Sequence, residues 1–396
     1  MWPQRALHSY LIGAHLLWAL FLARHAASSR LVPSVLSALR GRLRHTPPLL
    51  HRVPPHTLLR LTESALCDAG CSPPCARAVA SCLVASQRDG RVAHGLGRLP
   101  AILSSLRTHS ANGGARPTLS SPARAQLRVD ADGGLIHGAL ALGIPALAER
   151  AHELGVASLS VVNARGIVGA LWHHLEALAE EHRLISLAWC NSPAFVAPHG
   201  GSARLFGTNP IGFGWPRPDA KPLVIDFACA TIARGEIQQC ARRGERIPPG
   251  CAVDVNGRPT TDASAALAGT QTAFGEHKGS ALALMVELLA AAFTGGDLAI
   301  EAGRNSEATG MQRGMLLLAI DPQAQQGGSS LNSLEAAERL FSAMEGAGGI
   351  RLPAAARYAQ REKAEAAGGV AIDANLFEEC FGRPISSLAD AVLCDH

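Results

Sequence analysis

Apolar residues recur at helical spacing from Thr57 to Ala69 and from Pro74 to Ser86, with Gly70 and Gly90 just past the two runs. That pattern predicts two helices closed by glycine. A third amphipathic run, Ala139 to Leu154, ends at Gly155 and leads into the apolar stretch Ala157 to Val162, an alternation of helix and buried strand. Leu184 to Trp189, Pro222 to Ala228 and Met315 to Ile320 read as further strands. Gly279 to Phe293 is almost wholly apolar and predicts a long helix buried on most sides. No period of solenoid type runs through the chain. The expectation is an α/β protein.

Composition changes this picture in three ways. With 396 residues, 47% of them hydrophobic, the chain should divide into two lobes, since single cores stop growing near ~250–300 residues. Aromatics are only 4%, which argues against a stacking surface for nucleic acid. The formal charge of +4 hides an asymmetry: residues 1 to 62 hold eight arginines and no Asp, Glu or Lys, so the remainder carries −4. An acidic body excludes a phosphate-backbone binder. The arginine-rich beginning matches a mitochondrial transit peptide; a signal peptide ending near Ala26-Ala27-Ser28 and a start codon placed too far upstream are the alternatives, so mitochondrial or cytoplasmic residence is expected. Leu11 to Ala23 is too short for a membrane span. Pro47-Pro48 and Pro54-Pro55 mark a linker into the fold at about residue 56.

Ten cysteines contain no C-x-x-C pair, and Pro73-Pro74 breaks any helix that would align Cys67, Cys71 and Cys75, so buried thiols are expected there and no metal. Three stretches carry candidate chemistry. Ala197 to Trp215 holds five glycines and the tetrad Gly207-Thr208-Asn209-Pro210, which suits close approach of a small polar ligand to backbone. In Gln87 to Arg98, His94 precedes Arg98 by four positions, so a helical turn would put a proton-handling imidazole beside a carboxylate anchor; a capping histidine beside a solvated arginine fits those residues too. His277 and Lys278 open the apolar helix and suit an anion. The body lacks G-x-G-x-x-G after a strand, a Walker loop, G-x-S-x-G and H-E-x-x-H, so Rossmann, P-loop, serine hydrolase and zinc protease chemistry have no foothold.

Taken together, Ala93-His94-Gly95, Pro198 to Gly201, Leu205 to Ile211, Val224-Ile225-Asp226, Pro259 to Asp262 and His277 to Leu289 resemble the non-Rossmann malate/L-lactate dehydrogenase family, over about residues 57 to 370. Ala170-Leu171-Trp172, His277 to Leu282, Ala290 to Gly296 and Glu236 are most similar to its branch of Δ1-piperideine-2-carboxylate/Δ1-pyrroline-2-carboxylate reductases. The resemblance implies a two-lobed α/β homodimer with a mixed sheet and covering helices. Its expected parts are a leader to residue 56, a helical substrate and dimer lobe over 57–124 and 271–396, and a cofactor lobe over 125–270. It implies NADPH, with NADH possible, and a cyclic imino acid as substrate. His94 would donate the proton, Glu236 would assist it and Arg98 would hold the substrate carboxylate. Thr208, Asp226, Phe227, Ala228, Arg234 and Gly235 would line the cofactor, with His277, Arg357 and Arg361 closing over it. Two positions depart from the family pattern. Ala93 stands where the family has serine, and Asn163-Ala164-Arg165-Gly166-Ile167 replaces a loop with two polar donors, Arg165 being the residue that could bind the cofactor's phosphates instead. A 2-hydroxy-acid dehydrogenase and a catalytically silent paralogue are the alternatives.

Overall fold

The computed structural model describes residues 50–301, 311–324, 333–389 and 392–393, so residues 1–49, most of the expected leader, lie outside the described residues. The fold begins earlier than the expected boundary at 56. Leu50–Val53 (β1) pairs antiparallel with two later strands. Pro55 occupies the first turn of the next helix, where its missing N–H costs nothing. The proline pair therefore starts a helix instead of marking a linker.

The helical part continues with Pro55–Asp68 (α1), Pro73–Arg88 (α2), the 3₁₀ turns Val92–His94 and Leu96–Arg98, and Leu99–Arg107 (α3). Then follow Thr118–Ala123 (β2), Gln126–Asp130 (β3), Ile136–Leu154 (α4), Val156–Ala164 (β4), Trp172–Glu180 (α5), Ile185–Cys190 (β5), Pro210–Trp215 (β6) and Leu223–Ala228 (β7). Arg234–Arg243 (α6), the short ribbon of Ala252–Val253 (β8) and Thr270–Gln271 (β9), and Ala263–Ala268 (α7) precede His277–Glu287 (α8). The chain closes with Arg313–Ile320 (β10), Ser333–Gly346 (α9), Ala355–Ala366 (α10), Val370–Asp373 (β11), Ala374–Phe381 (α11) and Val392–Leu393 (β12).

The seven-stranded sheet runs β2-β3-β4-β10-β5-β6-β7 and is mixed, β3 and β4 being parallel and the other neighbours antiparallel. One core lies between this sheet and α4 and α5, around Val129, Leu140, Leu147, Leu159, Leu175 and Leu317. Helix α4 sits close on the strands because residue 143 is glycine: a β-carbon there would meet Leu159 Cδ2 at 2.6 Å. A second core joins α1, α2, α3, β11 and α11 around Leu58, Leu83, Ile102 and Phe377. The described residues nonetheless form one compact unit, and β10, expected with the helical part, lies in the middle of the sheet.

The long apolar helix differs from expectation. It is α-helical only from His277 to Glu287, gives way to a π turn over Leu288–Ala292, and leaves Leu284, Leu288 and Phe293 at 48, 54 and 59% exposure. An apolar helix face is buried only where a neighbour exists, and among the described residues these three side chains stay exposed.

Candidate active site

Antiparallel alternation brings five chain segments to one end of the sheet. Ala164 at the end of β4 pairs with Arg313 at the start of β10, and Cys190 at the end of β5 pairs with Met315. Pro210 at the start of β6 pairs with Ala228 at the end of β7. Facing that end are the two 3₁₀ turns of the helical lobe and the first turns of α6. Together they enclose a cleft of about 1120 Å³, somewhat above the ~300–1,000 Å³ of a single small-ligand site and so roomy enough for a cofactor with a small ligand beside it.

His94, Arg98, Thr208, Asp226, Phe227, Ala228, Arg234, Gly235 and Arg357 all line it. The turn geometry is 3₁₀ and not α-helical. Arg98 bends back so that its Nε donates to the Ala93 carbonyl at 2.7 Å. Gly235 gives it room, since a β-carbon there would lie 3.1 Å from Arg98 Cζ and overlap Nη2 outright. Gly235 thus shapes the seat of Arg98.

Thr208 is placed by a tight local device. Its N–H donates to Ser192 Oγ at 2.8 Å. Asn209 takes the left-handed φ of 44° that asparagine tolerates, and its buried Nδ2 donates to Ala283 O at 3.0 Å and Glu287 Oε1 at 2.8 Å. Gly200 and Gly201, in the first half of the same glycine-rich stretch, do not line the cleft.

Four assigned residues do not reach the cleft. Glu236 is exposed on α6, because Arg234, Gly235, Gln238 and Arg242 are the face turned to the cleft and residue 236 falls on the opposite side of the helix. His277 is exposed and packs edge-on against His199 at 6.2 Å between ring centroids. Arg165 is tied into the β4 exit by its backbone, its N–H donating to Gly134 O at 2.8 Å. Arg361 binds Asp89 at 2.6 Å and Glu176 at 2.7 Å. It completes an ion quartet with Arg357, which also contacts both carboxylates and lies 3.9 Å over the Trp172 ring. Arg361 therefore locks α10 to α2 and α5.

Residues that sequence reasoning missed make the cleft cationic. Arg91, Arg242 and Arg313 join Arg98, Arg234 and Arg357, against the single carboxylate of Asp226. Three of these arginines keep a buried guanidinium nitrogen with no partner among the described residues: Arg234 Nη1, Arg313 Nε and Arg357 Nη2. Orphaned buried donors are costly unless a ligand supplies acceptors. The residues therefore fit an anionic dinucleotide and a carboxylate.

Electrostatics sets the protonation states. Burial, then the charges of Arg98 and Arg91, push His94 down to about 4. In the free protein His94 is thus held below the ordinary histidine range. Burial pushes Asp226 up to about 6, although its Oδ2 accepts the Trp172 N–H at 3.0 Å. Among the described residues no group of three His, Cys, Asp or Glu is arranged to hold a metal ion, and no helix is long and apolar enough to cross a membrane.

Comparison with known proteins decides the family. The family model described as malate/L-lactate dehydrogenase matches residues 53–380. The chain belongs to the malate/L-lactate dehydrogenase family. A Pseudomonas aeruginosa Δ1-pyrroline-2-carboxylate/Δ1-piperideine-2-carboxylate reductase is 46% identical over 76% of this chain and 90% of that protein. A Δ1-pyrroline-2-carboxylate reductase of Ancylobacter novellus is 40% identical over 81% and 93%. The crystal structure of Δ1-piperideine-2-carboxylate reductase from Pseudomonas syringae superposes with a TM-score of 0.78 at 37% identity, covering 84% of this chain and 99% of that one. Membership makes the protein an oxidoreductase with a nicotinamide cofactor.

Proposed function

We propose that the protein reduces a five- or six-membered cyclic imino acid, Δ1-pyrroline-2-carboxylate or Δ1-piperideine-2-carboxylate, to L-proline or L-pipecolate with NADPH. Similarity to reductases so named over most of the chain supports the substrate class. The observation that carries the site is the cleft with six arginines and one carboxylate, holding His94 and Arg98 side by side. NADPH is the proposed donor because its extra phosphate suits so cationic a cleft. Arg234, Thr208 and the Asp226 to Ala228 strand end would hold it.

A bound nicotinamide supplies the hydride for the C=N carbon, which leaves this chain to hold the carboxylate and manage one proton at the ring nitrogen. Arg98 holds the carboxylate by a charge-assisted contact. That anion offsets the repulsion Arg98 exerts on His94, a smaller cause than burial, and so raises the proton affinity of the imidazole as the substrate arrives. Asp226 replaces Glu236 as the acidic partner, being the carboxylate that shares the cleft. The exposed apolar face of α8 supports a homodimer in which a second copy covers Leu284, Leu288 and Phe293.

A substrate panel tests the reading. Both imines, malate, lactate and ureidoglycolate are offered with NADPH and NADH in the appropriate direction, and turnover of the imines with NADPH is expected. Turnover of a hydroxy acid with neither imine reduced overturns it, and absence of saturable NADPH binding points to a silent paralogue.

A further inference from the structure

The β10 strand begins at Arg313, and its register against β4 slips between Arg313 and Met315. A bulge of this kind re-aims a side chain out of the ladder pattern. Gly314 locks it: its N–H donates to Asn191 Oδ1 at 3.2 Å, and a side chain at 314 would run into the Ala290 carbonyl and Thr294 Oγ1. Arg313 lines the cleft at only 9% exposure. Among the described residues its Nε has no acceptor. Burial chiefly, and to a smaller degree the charge of Arg98, a second cation, make it a weaker base than arginine in water. A buried cation facing another cation is a destabilising arrangement unless an anion comes between them.

The other lining arginines are already partly engaged. Arg357 has Asp89 and Glu176. Arg234 lies 4.1 Å over the Phe195 ring and donates to Leu267 O. Arg98 commits its Nε to Ala93, which leaves its terminal nitrogens for a ligand. Arg313 reaches the cleft from the sheet and Arg98 from the helical lobe.

We propose that Arg313 and Arg98 grip the substrate carboxylate together, which makes Arg313 a specificity-determining residue that restricts the enzyme to ring imines carrying a carboxylate. This rests on the reductase reading above. One planar carboxylate has two oxygens and about four acceptor sites, enough for two guanidinium groups from different directions. A grip from both lobes also orients the ring, fixing which face of the C=N bond meets the cofactor.

The test compares Arg313→Gln and Arg313→Lys with the parent enzyme. NADPH affinity is read by nicotinamide fluorescence, KM and kcat with both imines, and affinity for pyrrole-2-carboxylate, a planar carboxylate that cannot be reduced, by calorimetry on the NADP-loaded enzyme. Loss of a charge-assisted contact predicts about 10- to 100-fold weaker pyrrole-2-carboxylate binding and a parallel rise in KM for Arg313→Gln, with NADPH affinity unchanged. Lysine should restore part of the loss as a point charge, and it serves as the reporter if the glutamine variant melts early. In an Arg98→Lys background the Arg313→Gln loss should shrink, because the two residues share one ligand. Weakened NADPH with intact carboxylate binding overturns the proposal and assigns Arg313 to the nucleotide; no change in either overturns it too. If pyrrole-2-carboxylate binding depends on Arg313 but neither imine is reduced, the grip stands and the reductase reading fails.

Discussion

Gly235→Ala separates the two roles that residue 235 could have. The added β-carbon would lie 3.1 Å from Arg98 Cζ and 3.4 Å from the Ala93 carbonyl oxygen, with Nη2 closer still. The backbone of Gly235 is not in the left-handed region, so alanine meets no conformational strain there. Substituting alanine in a helix gains at most ~1 kcal/mol. The cost falls instead on the far end of the Arg98 side chain, which must move by about 1 Å, enough to impair a geometry-dependent reaction by about 100-fold. A charge-assisted hydrogen bond of ~1.5–3 kcal/mol is at stake, so KM for the imino acid should rise about 10- to 100-fold. Melting temperature and NADPH affinity should hold. Steady-state kinetics with both imines, nicotinamide fluorescence and a thermal melt make up the assay. Weakened NADPH binding with an unchanged KM would refute the argument and return Gly235 to the cofactor, where the sequence placed it.

Removing Arg361, whose largely buried side chain shares Asp89 and Glu176 with Arg357, should destabilise the fold by about 1.5–3 kcal/mol in urea unfolding while leaving KM within a fewfold; a large rise in KM with full stability would restore its assignment to the site. His94→Ala should lower kcat by about 10²–10⁴-fold with NADPH binding intact. Because His94 in the free protein is held at about 4, below its ordinary 6.5, its imidazolium is lost at low pH in the free enzyme and survives to higher pH with a carboxylate on Arg98. The fall in kcat/KM with rising pH should therefore precede the fall in kcat, and coincident limbs would contradict the coupling. The same depressed value makes acid destabilising, the penalty growing as pH falls from 6.5 towards 4. Leu288→Glu should turn the proposed dimer into a monomer in light scattering, since a charge would enter an apolar interface.

Local signals were legible wherever the chain decides its own geometry. Gly155 closes α4 with φ at 81°, and the strand alternation placed β4, β5, β7 and β10 within a few residues of their observed ends. His94 and Arg98 were readable because three residues of a tight turn fix their proximity. Arg313 was not: an arginine before an apolar strand looks like a solvated strand end, and its burial arises only when β10 inserts between β4 and β5. Glu236 and Arg361 show the opposite failure, in which matching by motif transferred a residue type but not its direction. On α6 the phase of the helix turns Gln238 and Arg242 to the cleft and Glu236 to solvent. On α10, Arg357 and Arg361 are one turn apart, and the carboxylates of Asp89 and Glu176 hold both, yet only Arg357 also lines the cleft. A shared face fixes the direction of a side chain, and the distance along the helix then decides whether it arrives. The quartet thus serves the site through Arg357, which Asp89, Glu176 and the Trp172 ring hold at the cleft wall while Arg361 carries the load of anchoring the helix.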